Sequence, residues 1–220
     1  MLRSLRLVLL LFSGVLVGCG TQSASVVSEP LRPGQQEPVA YLVGSIGPLD
    51  LRTSPAPNQR LLFRKRSSKN GAAGVWVGAG RETPQDVKEQ GGAASVFVLP
   101  LKPGDYELYD FQFTSSNYSQ TLGTTYTSSQ AREKFNLPLH LQAGKAYYLG
   151  EFRSLCIGGS MCAFRWRDQQ VRDEQFARQQ VPELPALQLV PLDFDRAAPF
   201  IIPPTSSSGA SRNSTSETHP

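Results

Sequence analysis

The stretch Val96-Phe97-Val98-Leu99-Pro100-Leu101-Lys102-Pro103-Gly104-Asp105-Tyr106-Glu107-Leu108-Tyr109-Asp110-Phe111-Gln112-Phe113 decides the fold class. Two runs rich in β-branched, aromatic and aliphatic residues flank one polar break. Pro103 and Gly104 take the second and third positions of a four-residue turn. Proline presets φ at the first of these and glycine accepts a positive φ at the next, as a type II turn requires. Residues 106–113 are therefore expected to run back along 96–101 as a hairpin.

Working outward, residues 39–46 read as a strand, Leu61-Leu62-Phe63 lie in a second, and Val75-Trp76-Val77 form a short third. Phe135, Leu137, Leu139 and Leu141 alternate with Lys134, Asn136, Pro138 and His140. That is the period of a half-buried strand, and Pro138 places it at an edge or a bulge, because proline donates no ladder hydrogen bond. Gln142-Ala143-Gly144-Lys145 turns the chain and residues 146–153 return. Residues 162–167 follow, with Phe164 and Trp166 on the face of Cys162. Residues 168–180 hold good helix formers with no Gly or Pro, and Val171 and Phe176 as sparse apolar anchors, which predicts one exposed helix. Residues 187–192 add a last strand. About seven to nine short strands in roughly 150 residues suit two sheets. The expected class is mainly β: a single antiparallel β-sandwich with one short C-terminal helix.

Composition sets the outer limits. The 220 residues are 40% hydrophobic, with 19 Gly and 17 Pro lying between the apolar runs. That supports one core with polar flanks. Residues 19–37 are rich in Gly, Thr, Ser, Gln and Pro and read as a flexible tether. Residues 38–202 form the domain. Residues 203–220 begin Pro203-Pro204 and continue Ser/Thr-rich; they bury too little to offset ordering entropy and are expected to be disordered.

Residues 1–18 have the three parts of an export signal. Arg3 and Arg6 open it, residues 7–17 are apolar apart from Ser13 and Gly14, and small residues close it. The run is short for a bilayer span, which needs about 20 apolar residues. Its end, Leu16-Val17-Gly18-Cys19, resembles the lipobox of bacterial lipoproteins. The resemblance implies diacylglycerol on Cys19, cleavage before it and acylation of the new amino group. Two or three chains anchor firmly, since each buried methylene contributes roughly 0.8 kcal/mol. Gly20, in place of the aspartate that signals inner-membrane retention, points to the outer membrane, with the domain facing the periplasm or the cell surface. Loss of Arg3 and Arg6 with the leader lowers the formal charge from +4 to about +2, which is not a nucleic-acid-binding balance.

Lipidation of Cys19 leaves Cys156 and Cys162, separated by Ile157-Gly158-Gly159-Ser160-Met161. An oxidising compartment favours a disulfide between them, with a pair of buried thiols as the alternative. A zinc site lacks a second ligand pair in the sequence.

The phrases Leu101-Lys102-Pro103-Gly104-Asp105-Tyr106-Glu107-Leu108 and Ala143-Gly144-Lys145-Ala146-Tyr147-Tyr148-Leu149-Gly150 resemble the Pro-Gly-x-Tyr hairpins of prealbumin-like and carboxypeptidase-regulatory-like sandwiches. They are also similar to β-sandwich lipoproteins of bacterial envelopes. The resemblance implies a sandwich and no catalytic residues.

Chemistry is sparse. His219 lies in the tail and His140 on the polar face of a strand. The motifs of serine hydrolases, zinc proteases and phosphate loops are missing from the sequence. Asp105, Glu107, Asp110 and Glu151 are the carboxylates from which an acid–base pair would be drawn. Arg64-Lys65-Arg66 is a basic cluster suited to headgroups or acidic polymers, or simply a solvated loop. Tyr106, Tyr109, Phe111, Phe113, Tyr118 and Tyr126 form an aromatic-rich stretch; most are expected in the core, with Tyr118 and Tyr126 as candidate binding residues. No cofactor or metal is expected. The leading expectation is a non-enzymatic, lipid-anchored envelope module that binds a protein or polysaccharide partner. The rivals are an envelope polymer hydrolase using Asp/Glu residues and a surface-exposed adhesin-like module.

Overall fold

The computed structural model describes residues 24–26, 31–52, 58–66, 71–78, 84–89, 91–121, 123–130, 135–157 and 161–204. The leader, Cys19 and the tail from residue 205 onward lie outside the described residues. Among the described residues the chain is mainly β, with two sheets and one α-helix.

The strands are β1 (Ala24–Val26), β2 (Ala40–Pro48), β3 (Asn58–Lys65), β4 (Gly71–Val77), β5 (Val87–Glu89), β6 (Gly92–Leu101), β7 (Gly104–Ser119), β8 (Gly123–Gln130) and β9 (Leu137–Leu141). Next come β10 (Ala146–Ile157), β11 (Met161–Arg167), helix α1 (Gln170–Gln180), β12 (Leu187–Leu189), a 3-10 turn (Phe194–Ala197) and β13 (Ile201–Ile202). The first sheet has the order β1-β4-β3-β7-β8, with β9 also on β7; the second has the order β13-β11-β10-β2-β6-β5, with β12 also on β10. β9 pairs with the first residues of β7 and β8 with its later ones. Pro138, opposite Glu107, thus stands on a strand whose described partner is β7 alone, as its missing N–H requires.

Apolar side chains of both sheets meet in one core. Phe111 and Phe113 of the first sheet meet Phe164 of the second, with ring centroids 5.7 and 5.2 Å apart. Phe63 and Phe97 pair in the same way at 6.2 Å. A Cβ on Gly74 would lie 2.6 Å from the Phe97 ring, so the bare backbone of β4 makes room for it. Rings in such stacked, tilted and edge-to-face arrangements stabilise by roughly 0.5–1.5 kcal/mol beyond their burial.

The expected hairpin between residues 96–101 and 106–113 is instead a corner between sheets, since β6 belongs to the second sheet and β7 to the first. Gly104 does take a positive φ, +145°. Lys102 N donates to Leu31 O at 2.9 Å, and Tyr106 Oη donates back to Lys102 O at 2.7 Å. A tyrosine tied to backbone a few residues upstream is a known corner device of β-sandwiches. Turn chemistry specifies the reversal of the chain but not which sheet receives it, and both runs are apolar enough to face the core. The turn at Gly144 (φ +71°) likewise carries the chain from β9 in the first sheet to β10 in the second.

These two crossings correct the expectation of a purely antiparallel fold. The first sheet is antiparallel throughout its described pairs. In the second, β10 runs parallel to β2 and to β12, and β11 runs parallel to β13. A parallel pair needs a crossover. Here β2 and β10 are joined through the other sheet, and β12 follows β10 by way of α1.

Part of the segment expected as a tether joins the fold. Ala24–Val26 pairs with β4, Leu31 is buried in the core, and Glu37 pairs with Lys102 at 2.8 Å. Leu31 is the large apolar residue available there, and burying it offsets the ordering of its neighbours.

Helix α1 is not the exposed helix expected. It covers the outer face of the second sheet, where Ala177 packs with Val43, Val96, Ala146, Tyr148 and Leu187. Of the two expected anchors, Phe176 packs against this cluster but Val171 is 80% exposed, whereas Asp173 is fully buried. With both faces covered, β2 and β6 are buried almost continuously, the pattern of a strand inside a layered structure.

Candidate functional site

One residue of β10 sets up the charged centre of the molecule. Before it, Tyr148 faces α1 and Leu149 faces the core. The register with β2 then shifts between Tyr148 and Glu151: one extra residue, Gly150, enters at φ +106°. A bulge reverses which face each later residue takes. Phe152 consequently points into the core, while Glu151 and Arg153 point toward α1. Gly150 is demanded twice, since a Cβ there would also lie 2.0 Å from Trp166 Nε1, which donates to Leu149 O at 2.7 Å.

Around Glu151 three arginines converge. Arg167 donates to Glu151 Oε2 at 2.5 Å, and Arg172 Nη2 donates to Oε1 at 2.9 Å. Arg153 Nε lies 3.1 Å from the same Oε1. All three also reach Glu89 at the end of β5: Arg167 Nη2 at 2.8 Å and Arg153 Nη2 at 3.0 Å from Oε2, and Arg172 Nη1 at 3.0 Å from Oε1. Arg153 is fully buried. Its Nη1 donates to Pro48 O at 3.2 Å, but Nε and Nη2 touch their carboxylates without being aligned on any acceptor.

Asp173 completes the network from α1. Its Oδ2 accepts from Ser45 Oγ at 2.6 Å and Tyr148 Oη at 2.7 Å, and its Oδ1 accepts from Arg172 at 2.7 Å. Three guanidinium groups thus face three carboxylates. Balanced pairing of this kind is the condition under which ions persist in an interior, because each buried charge alone would cost several kcal/mol.

The titration behaviour follows. Burial pushes the Glu89 carboxyl up, but contacts with Arg167 and Arg153 outweigh it and hold it below the ordinary 4.5. Burial lowers the Arg172 guanidinium, yet the charges of Asp173 and Glu151 leave it above its ordinary value. Arg167 is raised in the same sense by Glu89 and Glu151 against its burial. Burial, and then the charge of Asp173, raise Tyr148, which stays a neutral donor. Asp86 is raised by burial, opposed by the N–H of Val96, with the charge of Asp173 adding to the rise. The ionised forms of Glu89, Arg167 and Arg172 are thus each favoured by their partners, an arrangement suited to holding a charged group.

The residues singled out from sequence are scattered by comparison. Arg64 donates to Glu107 and lies over the Tyr109 ring, 4.5 Å from its centroid. Arg66 Nε lies 3.9 Å from Glu107, which also accepts from Asn136. Lys65, between them, is half-buried. The basic cluster is therefore partly neutralised by the chain itself. Asp105 pairs with exposed His140 at 2.8 Å, and Asp110 accepts from Phe111 N at 2.9 Å. Asp105, Glu107 and Asp110 belong to the first sheet and Glu151 to the second. Tyr106, Phe111 and Phe113 fill the core. Tyr126 stands opposite Ser116, and Tyr118 opposite Thr124; their side chains lie outside the described residues. Cys156 and Cys162 stand directly opposite one another in β10 and β11 and form a disulfide. Among the described residues, no group of side chains suits a metal ion and no helix is long and apolar enough to cross a membrane.

Glu89, Arg153, Arg167, Arg172 and Asp173 were not singled out from sequence, although one signal pointed to part of the group. If Cys156 opposes Cys162, counting five residues outward from each places Glu151 opposite Arg167, as observed. Set against known proteins, the chain matches no family model, no curated protein and no solved structure.

Proposed function

We propose that the chain is a lipid-anchored lipoprotein of the bacterial envelope whose β-domain, a two-sheet sandwich with α1 on one outer face, is a non-enzymatic binding or accessory module. In this reading residues 1–18 are the signal peptide and Cys19 carries the lipid. The chain beyond it spaces the domain from the outer membrane, and the partner is an envelope protein or polysaccharide. The observation that carries it is the Cys156–Cys162 disulfide. Disulfides persist in oxidising compartments, and export to one is what the leader ending at Cys19 implies. Glu89, whose carboxyl the arginines hold below its ordinary range, supports binding over hydrolysis, because an acid catalyst needs a carboxyl that is protonated near working pH.

Crosslinking of the full chain in cells, followed by mass spectrometry, tests this reading. One recurrent envelope partner, lost when surface residues of the domain are replaced, is the expected result. Turnover of an envelope polymer by the purified full chain, abolished by Glu151→Gln in a variant that still folds, would replace the binding module with the hydrolase.

A further inference from the structure

We propose that Arg153, Arg167 and Arg172 form a carboxylate-binding seat that the chain's own Glu89 occupies in this conformation, and that an external carboxylate takes the seat when Glu89 leaves. This goes beyond the reading above and holds whether or not Cys19 is lipidated.

The three carboxylates of the network are not equivalent. Glu151 and Asp173 are fully buried, and Asp173 is held by two hydroxyls and an arginine. Glu89 has a side chain 36% exposed, and its described ion-pair partners are the three arginines. It closes a three-residue strand at the end of the sheet order, whose partner among the described residues is β6. Glu89 is thus the member that can depart with the least loss of structure, since short edge segments open most easily.

Its departure leaves three guanidinium groups facing Glu151 and Asp173, one positive charge in excess. A monoanion restores neutrality. Arg153 adds a second indication: this fully buried side chain holds Nη2 3.0 Å from Glu89 Oε2 without a hydrogen bond aligned on it, while its Nε faces Glu151. A free carboxylate, unlike Glu89 on its strand, can settle to accept from Nη2. Solvent reaches the seat beside Glu89 itself, since the Arg167 and Arg172 side chains that hold it are 28% and 23% exposed. Forked guanidinium donors match planar carboxylates. Glu89 acts as a tethered competitor, with an effective concentration on the order of millimolar, so weak ligands are screened out while it is seated.

The test uses the full chain and its Glu89→Ala variant, titrated with sodium acetate, with a short Glu-containing peptide, and with sodium chloride at matched ionic strength, reading the melting temperature. The variant is expected to rise saturably by about 3–5 °C with either carboxylate and not with chloride. The unaltered chain needs roughly ten-fold more of the same ligand. Saturation at much lower peptide than acetate assigns an acidic chain as the ligand; equal responses assign a small carboxylate. Acetate and chloride curves that superimpose in the variant would overturn the proposal. If Glu89→Ala does not fold, Glu89→Gln keeps the shape without the charge, and labelled acetate is followed on it by NMR. Acetate line broadening removed by a further Arg167→Gln supports the seat, and its absence in Glu89→Gln overturns it.

Discussion

Ser45 and Asp173, 128 positions apart in the chain, meet at 2.6 Å beneath α1, with Ser45 Oγ donating to Asp173 Oδ2. Tyr148 Oη donates to the same oxygen. The helix is therefore seated by a buried carboxylate on β2 and β10 as well as by Ala177. Replacing Asp173 by Ala leaves Ser45 and Tyr148 without their acceptor and takes one of three carboxylates from Arg172, and should cost about 3–5 kcal/mol, the usual penalty for breaking a buried ionic network. Ser45→Ala removes one hydrogen bond and should cost about 1 kcal/mol. Urea midpoints measure both. A loss below about 1 kcal/mol for Asp173→Ala would mean that packing alone seats the helix.

Gly150 and Gly144 separate two kinds of glycine requirement. Both have positive φ, +106° and +71°. A Cβ at Gly144 meets nothing within 4 Å, whereas one at Gly150 meets Trp166 at 2.0 Å. Gly144→Ala should cost about 1 kcal/mol of backbone strain, and Gly150→Ala about 3 kcal/mol or more from strain plus clash. Equal losses in thermal unfolding would show that the bulge tolerates a side chain.

The strand positions were largely legible from alternation. Leu137–Leu141 is buried and exposed in turn, as its residues predict, and Pro138 stands where a missing donor is tolerated. The partners of the strands were not legible. The Pro103-Gly104 turn reads the same whether residues 106–113 pair with 96–101 or cross to the other sheet, and only the tertiary fold distinguishes these outcomes. The charged centre was hidden for a related reason. Arg153, Arg172 and Asp173 look like ordinary surface residues until the Gly150 bulge turns Glu151 and Arg153 away from the core and α1 closes over them. Asp173 in particular sits in a helix so polar that its sequence reads as solvated.

The pH dependence of stability should contain two opposed terms. Asp86 has a folded value raised above 3.8. Its ionised form therefore costs stability at neutral pH, and the cost is relieved as the pH falls through the raised value. Glu89 has a folded value below 4.5; its contribution is complete above that pH and is lost as the pH falls through the lowered value. Asp86→Asn should then gain stability over the unaltered chain at pH 7 and lose that advantage near pH 3. Denaturant titrations at the two pH values check the sign. An advantage that grows on acidification would contradict it.

Removing the disulfide by paired Cys156→Ser and Cys162→Ser substitution should cost about 2 kcal/mol, the chain-entropy value for so short a loop. Glu151 and Arg167 are paired in the same two strands, so the hairpin should persist and the loss should stay within that range in urea unfolding. Global unfolding of the double variant at 25 °C would show that the cysteines hold the second sheet together.

In the proposed reading, a lipid on Cys19 fixes where this domain works. Growth of cells expressing the full chain with labelled palmitate, beside a Cys19→Ala variant, tests it most directly. Label is expected in the membrane-bound chain and none in the variant, which should leave the membrane fraction. Label retained by Cys19→Ala, or a full chain that carries none, would contradict it.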